Sequence, residues 1–170
     1  MTGETSRRDF LRGRYGRAAP EAVRPPGADP DVFTKACTDC RACLDACPEG
    51  IIVADGKGKA SVDFALGACT FCGDCAEACP TGALKTDLMS DWPWRARVAE
   101  TCLSMNGVVC RSCQDACDAQ AIRFRLQTSG RSTPEIDIES CTGCGACAGS
   151  CPAGAVSFRK IPPRQMEAAE

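Results

Sequence analysis

Apolar residues come in short bursts broken by Gly, Pro and Cys, and none approaches the ~20 residues of a membrane-crossing helix. Ile51-Ile52-Val53 and Ser61-Val62-Asp63-Phe64 flank the turn Asp55-Gly56-Lys57-Gly58-Lys59, a pattern that predicts a β-hairpin. A second hairpin is predicted where Ala121-Ile122-Arg123-Phe124-Arg125-Leu126 leads through Thr128-Ser129-Gly130-Arg131 to Glu135-Ile136-Asp137-Ile138. Residues 43–47, 75–79, 113–117 and 147–151 have room for one or two helical turns only. Between the two blocks lies Asp91-Trp92-Pro93-Trp94, whose tryptophans are expected to pack the blocks together. The pattern predicts an α+β fold of small hairpins and short helices.

The punctuation carries the chemistry. The chain has 16 cysteines and no histidine. Cys37-Cys40-Cys43-Cys47, Cys69-Cys72-Cys75-Cys79 and Cys141-Cys144-Cys147-Cys151 share the spacing C-x2-C-x2-C-x3-C, each followed by Pro. This is the ligand run of bacterial [4Fe–4S] ferredoxins. Three thiolates two residues apart on a tight loop can converge on three irons of one cubane, while the fourth points toward a neighbouring cluster. On that habit Cys37, Cys40, Cys43 and Cys79 share one cluster, and Cys69, Cys72, Cys75 and Cys47 the next. Cys141, Cys144, Cys147 and Cys117 form a third set.

The remaining group, Cys102-Cys110-Cys113-Cys117, is a distorted copy: regular spacing would place its first ligand at Gly107, and no Pro follows Cys117. Cys102 is expected to reach in from a loop and join Cys110, Cys113 and Cys151. The competing reading leaves Cys102 as a loop thiol beside a three-ligand site. Three [4Fe–4S] clusters are expected from the regular runs and a fourth from this one. Disulfides and zinc are the alternative uses of so many thiols, and the ferredoxin register opposes both.

Each group is followed by the same short tail, as in Cys47-Pro48-Glu49-Gly50-Ile51-Ile52, so the chain is four copies of one unit. The expected layout is a basic, disordered tail over 1–30, a dicluster ferredoxin-like module over 31–89, a linker over 90–98, a second such module over 99–161 and a tail over 162–170.

Composition sharpens this. Aromatics are only 5% of the residues, a marginal supply for two domains of this size, so folding is expected to depend on bound metal. The formal net charge is -2, and four thiolate-bound clusters would carry it to about −10. An acidic body of that kind disfavours nucleic acid as a partner. Asp39, Asp45, Asp74 and Asp115 add negative charge beside the cysteines, which lowers reduction potentials. No dinucleotide fingerprint, P-loop or histidine base is present, so no catalytic residue is assigned and the chain is not expected to be an enzyme.

Ser6-Arg7-Arg8-Asp9-Phe10-Leu11-Arg12 matches a twin-arginine export consensus, but no apolar segment follows it. The expectation is a cytoplasmic protein that keeps this segment. With the cysteine groups and the element Cys110-Arg111-Ser112-Cys113-Gln114-Asp115-Ala116-Cys117, the chain resembles the NapF family, ferredoxin-type accessory proteins of the periplasmic nitrate reductase system. The resemblance implies binding in the cytoplasm to the immature catalytic subunit, NapA, and help with its iron–sulfur acquisition or redox state before export. A polyferredoxin that relays single electrons to a reductase is the alternative.

Overall fold

The computed structural model describes residues 21–128 and 130–161. The expected twin-arginine segment and the tail over 162–170 therefore lie outside the described residues. Two similar halves follow one another along the chain. The first contains α1 (Phe33–Ala36), α2 (Ala42–Asp45), β1 (Ile52–Ala54), β2 (Ala60–Val62), α3 (Asp74–Glu77) and a 3-10 turn over Thr86–Asp91. The second contains β3 (Trp94–Val98), a 3-10 turn over Ser104–Asn106, α4 (Ser112–Asp115), β4 (Ile122–Leu126), β5 (Ser132–Ile136), α5 (Ala146–Gly149) and β6 (Val156–Lys160).

Both predicted hairpins form. β1 and β2 pair antiparallel with Ile52 opposite Val62, and β4 and β5 with Ile122 opposite Ile136. The return strand of the second hairpin begins at Ser132, three residues before the expected Glu135. Pro134 is tolerated there because β5 has a single neighbour and needs no donor on its outer edge.

A second pairing closes each half. In the second half β3 pairs antiparallel with β6, Trp94 opposite Lys160 and Val98 opposite Val156. In the first half the same closure shrinks to one bridge between Ala28 and Leu84, backed by Lys85 N–H donating to the Gly27 carbonyl at 2.9 Å.

These closures correct two expected boundaries. Residues 21–30 are not a tail. Pro25 and Pro26 are fully buried, and Val62 N–H donates to the Val23 carbonyl at 2.7 Å. Arg24 clamps this segment down, donating to the Ala60 carbonyl at 2.9 Å, pairing with Asp55 at 2.8 Å and lying over the Phe33 ring. Nor are residues 90–98 simply a linker, since 94–98 are β3. The alternation Trp94-Arg95-Ala96-Arg97-Val98, with Trp94 and Ala96 buried, is the period-two signal of a half-buried strand.

The halves meet on aromatic side chains. Trp92 and Trp94 are 5% and 3% exposed, so they are interior rather than surface residues. Phe64, just after β2, has its ring centroid 4.4 Å from Phe158 on β6 and 6.1 Å from Trp92. Trp92 also takes the edge of Phe71 at 5.4 Å and donates its indole N–H to the Arg24 carbonyl at 2.9 Å. Such pairs add about 0.5–1.5 kcal/mol each beyond the burial of their area.

Candidate iron–sulfur sites

The one-turn helices α2, α3, α4 and α5 each carry the third cysteine of a run: Cys43, Cys75, Cys113 and Cys147, all buried. The preceding loop curls over the same point because its backbone turns left-handed. Asp39 and Arg41 in the first run, Phe71 and Gly73 in the second, and Gly143 and Gly145 in the last have φ between +57° and +93°. The distorted run departs here. Arg111 has φ −137°, and the approach to Cys110 comes from the 3-10 turn instead.

Two cavities lie in the first half. One is lined by Cys37, Cys40, Cys43 and Cys79 among Phe33, Leu44 and Leu84. The other is lined by Cys47, Cys69, Cys72 and Cys75 among Ile51, Val62 and Phe71. Each run thus gives its last cysteine to the wall of the other run's cavity. In the second half a cavity is lined by Cys102, Cys110, Cys113 and Cys151 with Val98, Leu103 and Phe124. Cys117 sits instead with Cys141, Cys144 and Cys147. After burial itself, the sulfurs of Cys141, Cys144 and Cys117 are among the groups close enough to raise the pKa of the Cys147 thiol.

The donor set fits a multinuclear thiolate-bound group. All sixteen cysteines are free thiols. Among the described residues no three Cys, Asp or Glu side chains converge tightly enough to share a single metal ion. Four thiols around each of these cavities are the donor number of a [4Fe–4S] cubane. Backbone donors also aim at sulfur. Phe71 N–H points at Cys69 Sγ and Leu84 N–H at Cys79 Sγ, both at 3.4 Å. Ala121 N–H reaches Cys117 Sγ and Ala155 N–H reaches Cys151 Sγ, both at 3.3 Å. Such donors favour charge on the sulfur and tune the potential of whatever it binds.

Without iron the central thiols hold their protons. Burial, reinforced by neighbouring sulfurs, pushes Cys43 and Cys113 up to about 11. The same causes push Cys75 and Cys147 up to about 12. Cys79 goes the other way: burial raises it, but N–H donation from Leu84 and contacts with Thr81 outweigh that and lower it. Loading iron therefore displaces protons from deeply placed thiols, which couples assembly to folding.

Sequence reasoning missed two residues. Lys59 Nζ donates to the Cys37 carbonyl at 2.5 Å and pairs with Asp39 at 3.2 Å. One of the four aspartates read as lowering potentials is thus offset by a cation. Gln120 stands where the other three units have Gly50, Gly82 and Gly154, and shares their left-handed turn at φ +50°. The Lys59 contact bridges 22 residues and has no local signal. The Gln120 turn is legible only by aligning the four units.

A model of the 4Fe-4S dicluster domain matches residues 36–83 and again 108–155. The "Ferredoxin-type protein NapF" of Escherichia coli strain K12 is 39% identical over 158 residues, covering 92% of this chain and 96% of that protein. The protein of the same name in Haemophilus influenzae is 36% identical over 165 residues, with 91% and 94% covered. The "Methylamine utilization ferredoxin-type protein MauM" of Paracoccus denitrificans is 36% identical over 160 residues, with 83% and 71% covered. The second domain match begins six residues beyond Cys102, so this cysteine falls outside the repeated dicluster pattern.

Proposed function

The chain belongs to the NapF family of ferredoxin-type proteins, and from that premise we propose that it is a cytoplasmic iron–sulfur accessory protein of the periplasmic nitrate reductase system. In this reading it binds the immature catalytic subunit, NapA, and assists its iron–sulfur acquisition or redox poise before export. It carries four [4Fe–4S] clusters. Cys37, Cys40, Cys43 and Cys79 hold one, and Cys47, Cys69, Cys72 and Cys75 a second. Cys117, Cys141, Cys144 and Cys147 hold a third, and Cys102, Cys110, Cys113 and Cys151 a fourth. The observation that carries the cluster assignment is the grouping of thiols by fours, with Cys47 and Cys79 exchanged between cavities.

When bound, such clusters supply one-electron redox chemistry. The protein's own residues orient the thiols, exclude water with Phe71, Phe124 and the buried aliphatic walls, and aim N–H groups at sulfur. No described helix is long and apolar enough to cross a membrane.

The alternative is a polyferredoxin that delivers single electrons to a reductase, and the same thiol grouping favours it. An anaerobic pull-down of the tagged holo-protein from cytoplasm separates the two. Recovery of a signal-bearing NapA precursor lacking its cofactors is the expected result. Recovery of mature redox enzymes or a quinol dehydrogenase alone would transfer the assignment to the electron carrier.

A further inference from the structure

The two halves do not merely lie side by side. Cys69 N–H donates to the Cys144 carbonyl at 2.7 Å, a backbone hydrogen bond between a thiol loop of one half and a thiol loop of the other. Within each half the sites already adjoin, since Cys79 and Cys47 are exchanged between the two cavities of the first half and Cys151 lines the Cys102 cavity of the second.

This contact needs unusually close backbone approach. A Cβ on Gly145 would overlap the Phe64 ring, and one on Gly143 would overlap the Trp94 carbonyl oxygen. Both glycines also turn left-handed, φ +93° and +79°. The loop of the last run is therefore laid directly on the first half, with Phe64 as the surface it rests on. Arg95 fastens the same seam, donating to the Trp92 and Trp94 carbonyls at 2.7 and 2.9 Å and to the Ile138 carbonyl at 3.2 Å.

We propose that this seam places the Cys69 site of the first half and the Cys144 site of the second wall to wall, so that the four sites form one uninterrupted row rather than two separate pairs, with Phe64, Gly143 and Gly145 as the positioning residues. The Cys37 and Cys102 sites are then the two ends of the row. The inference rests on the reading that each site holds a [4Fe–4S] cluster, and the test checks that reading first.

Iron and acid-labile sulfide are assayed anaerobically on the full-length protein. About sixteen iron per chain upholds the four-cluster reading, and a much lower count sinks that reading independently of the seam. Cys40→Ala with Cys110→Ala then takes a ligand from each end site and leaves both seam sites intact, at about eight iron per chain. Low-temperature EPR of this reduced variant is expected to show a broadened, fast-relaxing signal from two interacting spins. Adding Phe64→Ala should narrow it with no change in iron.

Two independent, unbroadened signals at full iron content would overturn the row. If the end-site substitutions strip the inner sites as well, wild type is compared with Phe64→Ala and with Gly145→Ala at equal iron content. A shift in spin relaxation supports the proposal, and superimposable saturation curves in all three refute it.

Discussion

The two halves share a plan and differ in what fills it. The buried cluster of the first half is built on Phe33, Ile51, Ile52, Val62, Phe64 and Leu84, closed by Trp92 and Trp94. The buried cluster of the second is Ala96, Ala121, Ile122 and three cysteines, Cys113, Cys141 and Cys147. Full burial of a large apolar side chain is worth about 1.5–3 kcal/mol, so the first half has an apolar core to fall back on. Cysteines are three of the six residues in the second cluster, against two of thirteen, Cys43 and Cys75, in the first. Its β3–β6 and β4–β5 pairings are longer, five residues each, but a two-stranded ribbon is marginal without a hydrophobic face beneath it. The lesson is that one cysteine scaffold can be stabilised mainly by side chains or mainly by what the cysteines bind.

The largest expected effect follows from removing iron. Chelation under anaerobic conditions should strip protection from amide exchange across β4, β5 and α5 while the segment around Phe33, Ile51 and Val62 keeps part of its own. Hydrogen-exchange mass spectrometry reads this directly. Equal collapse of both halves would break the contrast.

A smaller effect tests the distorted run. Cys102→Ser is expected to lower iron from about sixteen to about twelve per chain, all of it lost from the second half. Unchanged iron would return Cys102 to the status of a buried loop thiol and leave the fourth site with three ligands.

The smallest effect concerns the one unit that lacks a glycine after its last cysteine. Gln120 holds a left-handed backbone that costs a side-chain-bearing residue about 1–2 kcal/mol. A glycine there would escape that cost but lose roughly 0.5–1 kcal/mol more in chain entropy on folding. Gln120→Gly should therefore stabilise the second half by at most about 1.5 kcal/mol, seen as a rise of a few degrees in the anaerobic thermal midpoint. A fall would mean that the Gln120 side chain contributes more than its backbone strain removes.

Much of the fold was legible because its signals are local. Cysteine spacing, the Gly-rich turn after Asp55 and the alternation of Ile122-Arg123-Phe124 each act within a few residues, and the elements they predict are present. The parts misread are those set by distant partners. Residues 21–30 look like a polar, Pro-rich leader, and only the Ala60 carbonyl, Asp55 and the Trp92 indole, 31 to 68 positions away from Arg24, make them part of the interior. Trp94–Val98 alternates as a strand does, but nothing local names β6 as its mate. Of the candidate sites, the grouping of the regular runs came from spacing. The path by which Cys102 reaches the Cys110 cavity depends on the 3-10 turn at Ser104, whose hydroxyl donates to the Ser132 carbonyl at 2.8 Å, a contact the local sequence does not announce.

The closure of the chain bears on how the molecule can be handled. Glu21 and Lys160, near the two limits of the described chain, form an ion pair, and Lys160 also lies over the Trp94 ring. Residues 21 and 160 thus lie side by side at one corner. A circular permutant that joins 160 to 21 through a short Gly-Ser bridge and reopens within Gly56-Lys57-Gly58 would retain all three strand pairings. Such a molecule would show whether assembly follows the order in which the ribosome presents the halves, because it would emerge with the second half in the middle and the first half divided between its ends.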